Sequence, residues 1–444
     1  MRYIFLDNFR GFQDTFVPIQ DVNFLVGENT TGKTSLLGVL KLLSSPQFWF
    51  EHTFECDEVN FGHFKDIVSV HSKDRSYFTV GLIETIDSQE EGSEKSKDKN
   101  EVRGFLMTFR AREGMPQLSQ YTWNSGKKEF NVKFTTTRLW IKKNIIKKTE
   151  NIEGFREGRF KSWITNHQVK GTSGFQKLDV PFRMGNLPIV FILSLLENHS
   201  ENEKTIDPKK EFNLPKTPFS ILEIAWLAPI RSKPRRTYDE FNLEFSPEGD
   251  HTPYLIKKIL DSENDSVDFH KFIKKVGQAS GLFDSLQIKR FGRAITSPFE
   301  VDIVINKKSL NVSNVGYGVS QALPVIVELL LRSKGSWFAI QQPEVHLHPK
   351  AQAAFGDVFF ELAVLENKHF LIETHSDFMI DRFLLNYRNK RKKKPEAQIL
   401  FFERINSGNK VTSIPINKEG EMSTNQPKGY RQFFIKEEMK LLGL

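Results

Sequence analysis

The sequence predicts an α/β fold in which one sheet-based head is cut in two by a long insertion. Three observations support this. The first 45 residues read strand, strand, glycine-rich loop, helix. The last third alternates short apolar strands with helical patterns, as sheets flanked by helices do. Between them, residues 75 to 140 carry β-like patterns. At 444 residues the chain exceeds ordinary single-domain size.

RYIFLDNF (2–9) has apolar residues at alternate places, and DVNFLVG (21–27) is a short apolar run ending in glycine. In GENTTGKTSLLGVLKLL, leucines at 36, 37, 40, 42 and 43 form one helical face. YFTVGLIETI, GFLMTF and FNVKFTTTRLWI are predicted strands, and the polar SQEEGSEKSKDKN (88–100) a mobile hairpin tip. Residues 140–215 mix basic loops with a short apolar helix at 187–196. FSILEIAWLA (219–228) leads into PIRSKPRRTY, followed by amphipathic helices at 252–262 and 266–279. Then come VDIVI, a helix at 319–332, WFAI, a helix at 350–366, HFLIET, a helix at 377–389, QILFFER and KVTSIPI. The expected organisation is an N-terminal head segment (1–75), a β-rich lobe (76–215), a helical linking lobe (216–295) and a C-terminal head segment (296–444).

Composition narrows the function classes. Apolar residues at 39% and 40 phenylalanines imply packed cores. One cysteine, Cys56, leaves no disulfide framework and no multi-cysteine metal site. His346 and His348 are read as polar packing residues rather than ligands. The start lacks a charged leader with a long apolar run, and LPIVFILSLL is far shorter than the roughly 20 residues of a spanning helix, so a soluble cytoplasmic protein with no membrane contact is expected. Net charge is +8, with a dense run RNKRKKK at 388–394 that reads either as a solvated loop or as a phosphate-binding patch.

Gly27-Glu28-Asn29-Thr30-Thr31-Gly32-Lys33-Thr34 fits G-x-x-x-x-G-K-[ST] without mismatch, between a strand and a helix. This is a Walker A loop, which binds ATP. Its backbone N–H groups, from Asn29 through Ser35, would cradle phosphates. Lys33 would neutralise the β and γ oxygens, and the Thr34 hydroxyl would ligate Mg²⁺. Nearly 300 residues later, Asn314 to Gln321 carries two glycines and Ser320, read as the N-cap of a helix with Pro324 in its first turn. Alone, that stretch reads equally well as an ordinary glycine-containing cap.

Together these segments resemble the ABC-type P-loop ATPases of the SMC, RecF and OLD group, over the first 45 residues and roughly 300–416. WLAPIRSKPRRTY looks like the Gly/Ala-Pro-x-Arg segment of stand-alone members. The likeness implies an ABC-type head with a β-rich and a helical lobe inserted between Walker A and the signature motif. It makes Gly316, Gly318, Ser320 and Gln321 the signature motif, places Gln341 and Gln342 at the Walker B acids, and makes His375 of ETHSD the switch histidine. It brings Arg10 of the N-F-R turn toward the nucleotide. It also implies a homodimer or higher homo-oligomer, with ATP held between Lys33 of one copy and Ser320 of another.

The two glutamines depart from that pattern, because an amide carries no charge and negligible basicity. Three readings stay open. Gln341 accepts from a magnesium-bound water while Gln342 positions the attacking water. Glu344 supplies the carboxylate, with Asp377 in reserve, or serves only as a helix-start carboxylate. The site binds ATP and hardly cleaves it. A nucleotide-gated clamp with slow turnover is the favoured expectation. No apolar heptad repeats, so SMC-like arms are not expected, and the short stretch after SIPINKEG leaves no room for an appended nuclease domain. PEVHLHP and ETHSD are similar to segments of ATPases in bacterial anti-phage defence systems such as Septu and PARIS, which implies a separate nuclease effector subunit. The alternatives are a RecF-like repair ATPase binding duplex DNA through the basic run and the lysines near 142–148, and a nucleotide-stabilised scaffold.

Overall fold

Runs of apolar residues too continuous for a one-sided sheet set the architecture. A computed structural model describes residues 2–51, 53–86, 101–124, 128–135, 139–145, 163–164, 173–178, 223–239, 242–294, 296–388, 393–427, 429–430 and 439–440. The polar insert at 88–100, the apolar segment at 187–196 and residues 389–392 of the basic run lie outside the described residues. The chain divides into two units, the first from Met1–Ile19, Glu28–Ile221 and Phe402–Val411, the second from Gln20–Gly27, Leu222–Phe401 and Thr412–Leu444.

The first unit opens with β1 (Arg2–Asp7) and β2 (Thr15–Ile19); β3 (Val22–Gly27) belongs to the second. Next come α1 (Lys33–Ser44), α2 (Pro46–Glu51), a two-residue pair β4 (Glu55–Cys56) and β5 (Val59–Asn60), and α3 (Phe64–Ile67). The predicted β-rich stretch forms β6 (Tyr77–Ile86), β7 (Glu101–Arg112), β8 (Met115–Asn124), β9 (Lys128–Phe134), β10 (Leu139–Ile145) and β11 (Gln176–Leu178). They build an eight-stranded sheet in the order β11-β10-β9-β8-β7-β6-β1-β2. Tyr3, Ile4, Phe5 and Leu6 are all buried, so β1 is covered on both faces and simple alternation understates it. Phenylalanines account for much of this core. Phe78 stacks on Phe109 at 5.2 Å, and Phe54 meets them edge-on at 5.2 and 4.8 Å. Such pairs add about 0.5–1.5 kcal/mol each beyond area burial.

The second unit continues with β12 (Ile224–Leu227), α4 (Thr252–Leu260), α5 (Glu263–Ser280), β13 (Ser285–Arg290), β14 (Phe299–Ile305) and β15 (Lys308–Asn311). Then come α6 (Tyr317–Leu331), β16 (Trp337–Gln341), α7 (Pro349–Leu365), β17 (His369–Glu373), α8 (Asp377–Leu385), β18 (Ala397–Ile405) and β19 (Gly408–Ile416). Its six-stranded sheet runs β12-β16-β17-β3-β18-β19, with β12, β16, β17 and β3 parallel. Every residue of β12 and β16 is buried, as expected for parallel strands packed on both faces. The fold is therefore mixed α/β with large sheets. Among the described residues no helix is long and apolar enough to cross a membrane.

One sequence expectation is corrected here. Ser320 is not an N-cap and Pro324 is not in a first turn. The helix starts earlier, at Tyr317, behind Gly316 in extended conformation. Ser320 lies inside the helix, its hydroxyl donating to the Tyr317 carbonyl at 2.9 Å. Pro324, in the helix interior, cannot donate to the Ser320 carbonyl. Its ring packs against Gly249, where a Cβ would come within 2.5 Å of it and φ is +85°.

A buried ionic group ties α4 to α6. Glu328 accepts from Arg332 Nε at 2.8 Å and lies 2.8 Å from His251 Nε2, with its side chain 5% exposed. Burial raises the pKa of Glu328, but the bonds from His251 and Arg332 outweigh it and leave the group lowered. A lowered carboxylate pKa stabilises the fold fully above the unfolded value of about 4.3 and loses that contribution as pH falls through the folded value. Glu328→Ala is expected to cost about 3–5 kcal/mol in urea unfolding at neutral pH and to flatten the acid limb of the stability curve.

Candidate functional site

The glycine-rich loop owes its shape to backbone that most residues resist. Thr30 has φ +63° and Gly32 φ +95°, so the chain curls before entering α1. Gly32 caps that helix without a side-chain bond, and its first turn holds no acidic residue, leaving the partial positive charge of the N-terminus unopposed. Lys33 is buried at 3% exposure, its Nζ donating to the Glu28 carbonyl at 2.7 Å. Thr31 donates to the same carbonyl at 2.7 Å. Asn29, Thr30 and Thr34 are exposed, while Ser35 and Gly32 are half-buried. This is a preformed anion cradle: a curled backbone, a helix N-terminus and a lysine held at its base.

Other parts of the first unit brace the loop. A Cβ on Gly32 would lie 2.5 Å from the Phe12 ring and 2.9 Å from the Asn409 amide. Gly11 is equally tight against Asn409, so the N-F-R-G-F turn, the loop and the β18–β19 turn close on one another. Arg404 donates to the Thr30 carbonyl at 3.2 Å and to its hydroxyl. Arg10, expected to approach the nucleotide, lies 4.9 Å over the Phe61 ring and donates to the Phe61 carbonyl at 3.4 Å. Burial lowers its pKa, opposed by Asp66.

A second group gathers at the carboxyl ends of the parallel strands in the second unit, where open α/β sheets bind ligands. Gln341, 7% exposed, pairs in register with Glu373 on β17. Its Nε2 donates to Glu373 Oε2 at 3.2 Å. Gln342, at φ +43°, donates its N–H to the Glu373 carbonyl at 2.7 Å. Glu344 Oε1 accepts from the His375 N–H at 2.6 Å, while its Oε2 is buried and has no partner among the described residues. Glu344 therefore ties the turn after β16 to the turn after β17; it does not begin α7, whose N-cap is His348. The His375 side chain is exposed.

Arg231 joins this group to α6. It is 3% exposed; its Nη2 donates to the Gln341 carbonyl at 3.1 Å, and its backbone exchanges bonds with the Gln321 side chain at 3.1 and 3.2 Å. Its Nε and Nη1 have no partner among the described residues. Burial pulls the guanidinium down to about 10, against the opposing pull of Glu344. Gly318 is needed for close approach: a Cβ there would lie 2.8 Å from the His346 carbonyl. Gly316 and Tyr317 are exposed, and the Tyr317 ring sits 5.6 Å from that of His346.

Within the first unit the structure gathers the loop residues Asn29 to Ser35, and within the second it joins Gln321, Gln341, Gln342, Glu344 and His375 through Arg231 and Glu373. Carboxylates and amide oxygens suit a hard cation such as Mg²⁺, and the cradle suits phosphate. Glu373, Arg404 and Asn409 escaped sequence reasoning. Glu373 stood in ETHSD, which was read for its histidine alone, and Arg231 stood in a segment noted only for its likeness. Gly32→Ala is expected to cost at least about 1–2 kcal/mol from the left-handed backbone alone, with the Phe12 clash added, measured as a lowered urea midpoint.

Residues 1–380 match the family profile described as an AAA ATPase domain. No curated protein sequence matches the chain. Among solved structures it is similar to the SMC head domain from Thermotoga maritima (11% identity, 93% of this chain and 99% of that one, TM-score 0.42). It is also similar to the Smc head domain from Pyrococcus furiosus bound to the C-terminal domain of ScpA (9% identity, 99% and 100% coverage, TM-score 0.40). A third likeness is to the recombination mediator RecF with a bound nucleotide analogue (12% identity, 92% and 97% coverage, TM-score 0.28). With a matching profile spanning most of its length, the chain belongs to the AAA ATPase domain family.

Proposed function

We propose that this chain is an ABC-type ATPase that binds ATP with Mg²⁺, turns it over slowly, and uses nucleotide state to set the geometry of a homo-oligomer. The observation that carries this reading is the preformed cradle, with Thr30 and Gly32 in left-handed conformations and Lys33 buried at its base. Bound magnesium would neutralise charge on the transferred phosphoryl group. The chain's own residues do the rest. Backbone N–H groups of the loop and Lys33 grip the phosphates, and the Thr34 hydroxyl is offered to the metal. Gln342, fixed by its N–H bond to Glu373, orients a water rather than deprotonating it. An amide in that role gives positioning without basicity, which is the reason for slow turnover.

Exposed Gly316 and Tyr317 offer a surface on which a second copy can close. Through Gln321 and Arg231 that surface is connected to the Gln341 carbonyl, so closure and the strand-end cluster share one chain of hydrogen bonds. Ser320, with its hydroxyl committed to Tyr317, contributes through the helix start rather than as a cap. The likeness of PEVHLHP and ETHSD to anti-phage ATPases extends the proposal to a separate nuclease effector whose activity follows nucleotide state.

Lys33→Ala is expected to weaken ATP binding by at least tenfold in equilibrium titration and to abolish ATP-dependent change in mass by light scattering; unchanged binding and assembly would refute nucleotide gating. Gln342→Glu is expected to raise the steady-state hydrolysis rate about 10- to 100-fold if positioning without a base limits turnover, since general-base catalysis contributes at least that much. Mass measurement of the complex isolated from its native operon tests the nuclease: a co-purifying nuclease subunit is the expected result, and a homo-oligomer alone would remove that part of the proposal.

A further inference from the structure

We propose that the second unit carries a further binding site, for a small phosphomonoester, in a cavity that the ATP reading leaves unused. The inference goes beyond that reading and does not depend on it. The cavity measures about 260 Å³ and lies wholly within the second unit. Three segments enclose it: residues 232–235 after β12, the start of α4, and α6 at Ser320, Leu323 and Pro324. Its size, just under the roughly 300–1,000 Å³ of ordinary small-molecule pockets, admits one compact metabolite.

The lining is rich in donors with nothing to meet. Thr252 is 3% exposed, and its hydroxyl has no partner among the described residues. Tyr238, also buried, accepts at its phenol oxygen from the Arg235 N–H at 3.1 Å; its own proton has no acceptor among the described residues. On the exposed side stand Lys233 and Arg235, and neither pairs with a carboxylate among the described residues. α4 starts at the same place with no acidic residue in its first turn, so its positive end adds to the field of the two cations.

Unmet buried hydroxyls are costly, and a ligand made of acceptors relieves them. A phosphomonoester brings three strongly accepting oxygens and a charge of about −1.5 to −2. The rest of the lining suits the body that carries the phosphate. Asp250, the one carboxylate in the lining, and Asn242 are exposed and can accept from hydroxyls, while Val301, Val312 and Leu323 give apolar walls. Gly249 keeps the corner between α4 and α6 open: a Cβ there would lie 2.5 Å from the Pro324 ring and 3.1 Å from the Thr252 hydroxyl. A sugar phosphate and a nucleoside monophosphate share this chemistry.

The test is calorimetric titration of the full chain with ribose 5-phosphate, AMP, inorganic phosphate and a 5′-phosphorylated single-stranded DNA oligonucleotide, with ATP binding measured in parallel. At least one of the two esters is expected to bind the wild type more tightly than inorganic phosphate, and to bind Lys33→Ala equally well. Lys233→Gln/Arg235→Gln, a change of two exposed side chains, is expected to lose about tenfold or more of that affinity, the worth of one charge-assisted bond, with ATP binding unchanged. Thr252→Val, which keeps the shape and removes the hydroxyl, is expected to weaken the same ester. Ester binding that survives in the double variant and disappears in Lys33→Ala belongs to the glycine-rich loop and overturns the inference. So does a wild type that binds neither ester, or one that prefers the oligonucleotide to both. Absence of ATP binding overturns the earlier reading alone.

Discussion

The parallel ladder joining β16, β17 and β3 is the constraint on which the second unit depends. Parallel strands must be covered on both faces, and here each is almost wholly buried. Burial fixes register, because a one-residue slip would turn each side chain to the opposite face. Fixed register then places Gln341 beside Glu373 and Glu373 beside Leu25. The strand ends hold their chemistry because the ladder beneath them cannot slide.

A second constraint is the close approach of backbone to backbone. Gly318 lies against the His346 carbonyl, and Gly32 against Phe12 and Asn409, so neither can carry a side chain without something moving. These contacts make the turns stiff. Stiff turns suit the proposed role, in which a bound phosphate would shift packed elements as blocks rather than deform them. Arg231 is such a link, reaching from α6 to the end of β16 through paired hydrogen bonds while burying a guanidinium with two nitrogens that have no partner among the described residues. Burying charge this way is costly, and removal of the Gln341 carbonyl's partner would leave a second buried polar group unmet.

Much of this was legible from residue order. The Walker A pattern is local, its eight residues all within one turn, so strand, loop and helix could be read directly. The strands WFAI and HFLIET and the helices after them follow from short apolar runs and helical periodicity, and observed boundaries fall within a few residues of those read. What escaped was non-local. Glu373 becomes the neighbour of Gln341 only through pairing of strands 32 residues apart, and Arg404 meets Thr30 across 374. The start of α6 was misplaced for a different reason: serine is a strong N-cap type and proline favours first turns, but the glycine before Tyr317 and the fit of Pro324 against Gly249 overrode both.

The account comes down to where a divalent ion sits once nucleotide is bound. Crystals grown with a non-hydrolysable ATP analogue and Mn²⁺, examined by anomalous scattering, would locate it directly. The account requires phosphates within the Gly27–Thr34 loop and the Thr34 hydroxyl in the shell of the ion. Manganese bound away from Thr34, or a nucleotide seated away from the loop, would contradict it.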